Sequence, residues 1–317
     1  MPKVVALAGG IGAGKFLRGL VRVVNPDDLT VVVNTGDDIV LYGLHVAPDV
    51  DSVTYWLGDV MDRERGWGRR DETFRATEEL RAFGADGMWF GLGDLDLATH
   101  IYRTRLMAAG ATLSEATASI AARFGIRATL LPMSDDRVET RISAVDDQGT
   151  GYESHFQEYW VARRGRDTVK LVTFEGVEQA RPAPGVLEAI AGADAVLFCP
   201  SNPIVSVAPI LAVPGIRDAV AARRTVAAGI SPIVGGAPIR GMADKLMPAA
   251  GVEVSAAGVA AYYEGLLSSW VIDDVDRSLA PRAEATGVRV VVTDTIMADD
   301  ERAEALARVA LEAALGT

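Results

Sequence analysis

The segment Gly9-Gly10-Ile11-Gly12-Ala13-Gly14-Lys15 combines four glycines with a terminal cation. Residues without a Cβ let backbone amides approach phosphate oxygens, and a helix starting at such a loop adds partial positive charge at its N-terminus. Two familiar fingerprints each nearly fit. Gly9, Gly14 and Lys15 have the spacing of a P-loop, but Phe16 stands where a Ser or Thr hydroxyl would hold magnesium; Gly10, Gly12 and Gly14 miss the dinucleotide spacing by one residue. A generic phosphate loop is expected, the alternative being a tight strand-to-helix turn without a ligand.

A second group is acidic: Asn34-Thr35-Gly36-Asp37-Asp38, followed by Ala47-Pro48-Asp49-Val50-Asp51. Hard oxygen ligands of this kind suit magnesium, which usually takes one or two carboxylates and completes its shell with phosphates and water. Helix capping and turn chemistry use the same residue types. In Trp89-Phe90-Gly91-Leu92-Gly93-Asp94-Leu95-Asp96-Leu97-Ala98-Thr99-His100, Asp96 or Thr99 could cap a helix, or Trp89 and Phe90 could wall a pocket for a flat ring. Pro200-Ser201-Asn202-Pro203 either reads a base or ribose or is a proline-bounded turn. Ser231-Pro232-Ile233, Gly235-Gly236-Ala237-Pro238 and Gly241 to Lys245 form another loop, with Lys245 as its cation. Arg63, Arg65, Arg69 and Arg70 surround Trp67-Gly68, as a phosphate-facing group or a solvated face. His45, His100 and His155 show no HxxxH or HExxH spacing, which argues against a zinc hydrolase.

Such loops need a scaffold that presents strand ends. Val4 to Ala8 is a continuous apolar run ended by glycines, Phe16 to Val24 reads as a helix, and Leu29 to Asn34 is a second β-branched run. This βαβ unit predicts a doubly wound, mainly parallel sheet. Ala195 to Cys199, Thr225 to Ala228 with Pro232-Ile233-Val234, and Val288 to Thr293 are further strand candidates. Residues 52–127 carry helical spacing around Thr54 to Leu57, Thr77 to Phe83, His100 to Ala108 and Leu113 to Phe124, and are expected to form a helical insertion or cap within a single Rossmann-like domain spanning 1–317. Val138 to Val145 and Tyr152 to Val161 alternate like hairpin strands, and Asp299 to Leu315 reads as a packing helix.

The 317 residues, 49% hydrophobic and 23% charged, describe a folded α/β protein. A net charge of -12 disfavours nucleic acid and anionic membranes as partners, leaving small molecules held by a local reversal of sign. The single Cys199 excludes an intramolecular disulfide, no signal-like N-terminus or membrane-length apolar run is present, and a cytoplasmic setting is expected.

Taken in order, GGIGAGK, VVVNTGDD, APDVDSVTYWLGD, GWG, WFGLGDLDLATH, LLPMSDD, HFQEYWV, PSNPIVSVAPIL, ISPIVGGAPIRGMADKLMP and AAGVEVSAAGVAAYY resemble the 2-phospho-L-lactate transferase family of coenzyme F420 biosynthesis, over about residues 4–297. The resemblance implies a Rossmann-like core with a helical addition, and magnesium-dependent transfer onto a ribityl hydroxyl of Fo (7,8-didemethyl-8-hydroxy-5-deazariboflavin). The donor it implies is a guanosine diphospho-adduct of lactate, phosphoenolpyruvate or glycerate, and GMP leaves. On the same basis Asp37 and Asp51 are the expected catalytic and metal-ligating residues, with Asp38 and Asp49 in support. Gly9, Gly10, Gly12 and Lys15 would hold the diphosphate, Gly91, Gly93 and Asp94 would contact Fo, and Ser201, Asn202 and Pro203 would lie near the guanosine. Leu95 departs from the family pattern, where an Arg is usual, so a phosphate contact from that turn is not implied. A homodimer is the expected assembly. The alternative is a related group, the gluconeogenesis-factor-like proteins, which share the glycine loop and the strand-two aspartate and bind nucleotide sugars without catalysis; GWG, GLGD and HFQEYWV favour the transferase.

Overall fold

The computed structural model describes residues 2–316. Seven strands, β1 (Val4–Ala8), β2 (Leu29–Val33), β3 (Thr129–Pro132), β4 (Ala195–Phe198), β5 (Ala227–Ile230), β6 (Ser269–Asp273) and β7 (Arg289–Thr293), form one sheet in the order 7-6-5-4-1-2-3. Every pairing in it is parallel. The order reverses between β1 and β4, and the carboxyl ends of those two strands open the crevice where such sheets bind ligands. The glycine loop follows β1 and Pro200-Ser201-Asn202 follows β4, so the switch point collects both.

Because both faces of the sheet are covered, its strands are apolar without alternation. Val4, Ala6 and Ala8 of β1 point into one core with Leu17, Leu20 and the C-terminal helix Asp300–Leu315, while Val5 and Leu7 point into the other with Phe198 and Val196. Helix α1 (Gly10–Val23) follows β1 directly. Gly19 lets the C-terminal helix approach closely, since a Cβ there would overlap the Ala303 backbone.

Between β2 and β3 lie a hairpin, Ile39–Leu41 with Leu44–Val46, and four helices: α2 (Pro48–Leu57), α3 (Arg75–Ala82), α4 (Asp94–Ala108) and α5 (Leu113–Arg123). Helix α2 packs along α1, where a Cβ on Gly14 would overlap the Trp56 ring. Two carboxylates tie the insertion together at helix starts. Asp94 accepts from the Ala76 amide at 3.0 Å and from the Thr73 hydroxyl, and Glu72 accepts from the Leu95 and Asp96 amides at 2.9 and 3.0 Å. Thr112 and Glu115 form a capping box on α5. Between β3 and β4 an antiparallel sheet has Glu139–Val145 at its centre, flanked by Gly151–His155 and Thr168–Glu175.

Several elements differ from the sequence expectation. Helix α1 begins at Gly10 rather than Phe16, because the glycines form its first turn with Gly9 in extended geometry before it. Residues 158–162 are a π-helical turn rather than strand, since the paired strand stops at His155 and the chain turns toward the sheet end. Ile233–Val234 pairs only with Ala237–Pro238 and does not join the main sheet. Three strands carried no clear signal. β3 ends on a proline, β6 opens on the second of two serines, and Thr168–Glu175 lies among charges. Among the described residues no single helix is long and apolar enough to cross a membrane.

Candidate functional site

A cleft of about 900 Å³ opens at the carboxyl ends of β1 and β4, between the insertion, the antiparallel sheet and the loops after β5 and β7. Its floor is acidic. Asn34, fully buried at the end of β2, donates from Nδ2 to Asp49 Oδ2 at 2.8 Å and lies 3.4 Å from Asp37 Oδ1, so one amide bridges two carboxylates. Gln157 Nε2 donates to Asp37 Oδ2 at 2.7 Å, and the Gly10 amide donates to Asp49 Oδ1 at 2.7 Å. Burial, then the neighbouring Asp49 and Asp38 carboxylates, hold Asp37 well above the usual carboxylate range, with the Gln157 amide pulling the other way. Burial pushes Asp49 up to about 7, against its bonds from Asn34 and Gly10. A buried pair of this kind is short of positive charge.

Beside it runs a second buried network. Arg103, on α4 and 1% exposed, grips Asp51 with both terminal nitrogens and also donates to the His45 carbonyl at 3.3 Å. His100, one turn earlier, places Nδ1 3.5 Å from Asp51 and Nε2 3.4 Å from Asp96. Tyr55 donates to Asp96 Oδ1 at 2.6 Å. Burial raises Asp96, but His100 and the Tyr55 hydroxyl outweigh it and hold its carboxyl below the usual range. Asp51, Tyr55, Asp96 and His100 all border the cleft.

Cations occupy the rim. Asp49 takes the Gly10 amide that opens α1, while among the described residues no side chain takes the Ile11 or Gly12 amide, which leaves these two for an anion. Lys15 stands one turn further on; burial, then the charge of Arg240, pull its pKa below the ordinary lysine value. Arg65 also lines the cleft but is engaged by Asp62 at 2.7 Å and by the Arg69 carbonyl at 2.8 Å. The walls are aromatic: Trp67, Trp89, Phe90 and Trp160 border the cavity, Trp67 being 42% exposed.

Of the residues singled out from the sequence, Gly9, Gly10, Gly12, Lys15, Asp37, Asp49, Asp51, Gly91, Ser201 and Asn202 line this one cleft. Four do not. Asp38 turns to His45 Nε2 at 2.8 Å, Gly93 abuts the Glu72 side chain, Asp94 caps α3, and Pro203 starts a buried π-helical turn, Pro203–Val207. The glycine loop is partly a packing device. Gly9 admits Asp49 and Ser206, and a Cβ on Gly12 would overlap the Pro200 carbonyl oxygen. Asn202 Oδ1 accepts from the Ile204 amide at 2.9 Å and so is committed to its own turn. Lys245 donates to the Gly165 carbonyl, and Arg240 is the cation its loop presents to the cleft. Gln157, Arg240 and Arg103 are not singled out by residue type and spacing; Gln157, Arg240 and His100 lie inside HFQEYWV, ISPIVGGAPIRGMADKLMP and WFGLGDLDLATH, segments that carry the resemblance without marking these side chains.

Among the described residues no three His, Cys, Asp or Glu side chains form a ready-made metal site. The Asp37 and Asp49 carboxylates nonetheless fit magnesium, being hard oxygen donors whose raised proton affinity a cation would relieve, with phosphates and water completing the shell. Asp51 already shares its charge with Arg103.

A family model described as 2-phospho-L-lactate transferase CofD matches residues 4–313. The chain is 52% identical over 313 residues to the phosphoenolpyruvate transferase of Streptomyces griseus, covering 98% of each chain. It is 40% identical over 327 residues to the phosphoenolpyruvate transferase of Mycolicibacterium smegmatis, again covering 98% of each. A solved structure of a UPF0052-family protein from Bacillus halodurans superposes with a TM-score of 0.61 at 19% identity, over 98% of this chain and 99% of that one, which is a likeness of fold.

Proposed function

Given that the chain belongs to the 2-phospho-L-lactate transferase family, we propose that it moves a phosphoenolpyruvyl group from a guanosine diphospho-donor to the ribityl hydroxyl of Fo, releasing GMP, in coenzyme F420 biosynthesis. The name shared by relatives about half identical over nearly the whole chain favours the enolpyruvyl group over lactyl or glyceryl. The observation that carries the reading is the composition of one cleft: free helix amides beside Lys15, Arg240 on the other lip, buried carboxylates on its floor and aromatic side chains in its walls. A diphosphate, a metal and a flat ring system each find matching chemistry there.

On this reading the open amides of α1 and Lys15 bind the diphosphate, and the aromatic walls take the deazaflavin ring. Asp37 and Asp49 would hold magnesium, which when bound supplies charge neutralisation at the transferring phosphate. Arg103 holds Asp51 toward the cleft, where its carboxylate accepts a hydrogen bond from the attacking hydroxyl and aims the oxygen in line with phosphorus. The bond from the hydroxyl oxygen to the enolpyruvyl-bearing phosphorus forms as the bond from that phosphorus to the bridging oxygen breaks; GMP leaves with that oxygen, and the hydroxyl proton passes along its hydrogen bond to Asp51 and on to water in the cleft. Little covalent work falls to the protein, so positioning and electrostatics carry the rate.

The test is incubation of the purified protein with Fo, magnesium and each of the three guanosine donors, followed by mass spectrometry of the deazaflavin and of GMP. A phosphodiester from the enolpyruvyl donor is expected. Product only from the lactyl or glyceryl donor would replace the group assigned, and unchanged Fo with all three would leave a nucleotide-binding protein without this chemistry.

A further inference from the structure

Two cations face this cleft with no carboxylate in ion-pair range among the described residues: Lys15 near the start of α1, and Arg240 on the opposite lip. Every other arginine bordering the cavity is committed, since Arg65 is held by Asp62 and the Arg69 carbonyl. Arg240 is close enough to Lys15 to pull the lysine's pKa down. Like charges left facing one another raise the energy of the empty cleft and lower it again when an anion sits between them.

The lip that carries Arg240 is built to deliver it. Gly235, Gly236 and Gly241 have φ of 60°, 81° and 88°, left-handed geometry that suits glycine and turns the loop back over the cavity. The guanidinium lies over Gly66, whose φ is 78° and where a Cβ would overlap Nη1, so the two lips of the cleft meet at this pair.

We propose that Arg240 recognises the carboxylate of the group being transferred, a deepening that rests on the transferase reading above. The donor carries a diphosphate and, beyond it, a carboxylate. The α1 amides and Lys15 suit the tetrahedral phosphates, and the planar fork of an arginine matches a carboxylate in bidentate fashion. Arg240 thereby sets specificity for 2-phospho-carboxylic acids over plain phosphoalkyl groups.

The experiment is calorimetric binding, without Fo so that neither probe is consumed, of guanosine diphosphate carrying on its terminal phosphate either a 1-carboxyethyl group (the lactyl donor) or an ethyl group, to wild type, Arg240→Ala and Arg240→Lys. Wild type is expected to prefer the carboxyethyl probe. Arg240→Ala should weaken that probe by about 10- to 100-fold and the ethyl probe by no more than about twofold. Arg240→Lys, which keeps the charge and loses the fork, should recover only part. Arg240 is exposed on a loop, so both variants should melt with wild type, which confirms folding. Equal weakening of both probes would make Arg240 a phosphate ligand, and no change in either would make it a bystander; each overturns the proposal. A wild type that binds both probes alike also overturns it. Failure of Fo turnover with this binding pattern intact would instead count against the transferase reading alone.

Discussion

Replacing Arg103 by Met removes the one guanidinium that holds Asp51 while keeping most of the apolar stem. Arg103 is 1% and Asp51 4% exposed, so the carboxylate left behind meets water only at the narrow edge it shows to the cleft. Removing one partner of a buried pair costs about 3–5 kcal/mol, most of it the penalty on the abandoned charge. An unfolding entropy of about 2.1 cal/mol/K per residue converts that into a melting-temperature drop of about 4–8 °C for a cooperative unit of this size. Thermal unfolding followed by circular dichroism reads it directly. Adding Asp51→Asn to Arg103→Met removes the orphaned charge and should restore most of the loss. Two results would refute the reasoning: a single variant melting within about 1 °C of wild type, or a double variant less stable than the single one. The second would mean that lost packing, not the abandoned charge, carries the effect.

Asp37→Asn should lower turnover by about 100- to 1000-fold while the melting temperature holds or rises, because a crowded buried charge is removed and the Asn Oδ1 still accepts from Gln157; a wild-type rate in magnesium would sink its catalytic assignment. Stability without metal should fall as pH rises from about 4 toward about 7, since Asp49, with its folded pKa pushed up to about 7, binds more protons folded than unfolded across that window. Magnesium should therefore raise the melting temperature more at pH 8 than at pH 5.5, and an equal shift at both values would argue against the Asp37 and Asp49 site. Lys15→Ala should weaken the guanosine donor by about tenfold or more and Fo by no more than about twofold in separate binding titrations; equal losses would make the lysine structural.

The parts of the fold that local chemistry specifies were readable in the sequence. Val4 to Ala8 and Leu29 to Val33 are apolar on both faces because helices cover both sides of the sheet, and that unbroken apolarity is visible in one dimension. Asp299 to Leu315 shows its cap and its stripe. Where tertiary context decides, the pattern was silent. Thr129–Pro132 is a strand because β2 lies beside it, and a proline closing an edge strand gives no local hint of that pairing. The glycine loop has the pattern of a phosphate cradle, but three of its four glycines also make room for Asp49, Pro200 and Trp56, and glycines needed for packing look the same in sequence as glycines needed for a ligand.

The site divides along the same line. Its acids were legible because Asp37, Asp49 and Asp51 sit at a strand end and a helix start, positions that sequence alone can locate. What distinguishes them was not. Arg103 lies 52 residues from Asp51 and Gln157 lies 120 residues from Asp37, so nothing local marks one carboxylate as paired with a cation and the other as held only by amides. The proposed roles follow that difference: a carboxylate sharing its charge with a buried guanidinium is a poor ligand for a second cation and a firm anchor for a hydroxyl, whereas two buried carboxylates bridged by a neutral amide hold their protons until a divalent ion replaces them. The helical insertion supplies Arg103 and His100, and the turn that follows the antiparallel strand Gly151–His155 supplies Gln157. The additions to the sheet therefore set one acid of the crevice against a guanidinium and two against neutral amides, and the proposed division into an orienting carboxylate and a metal-holding pair rests on that contrast.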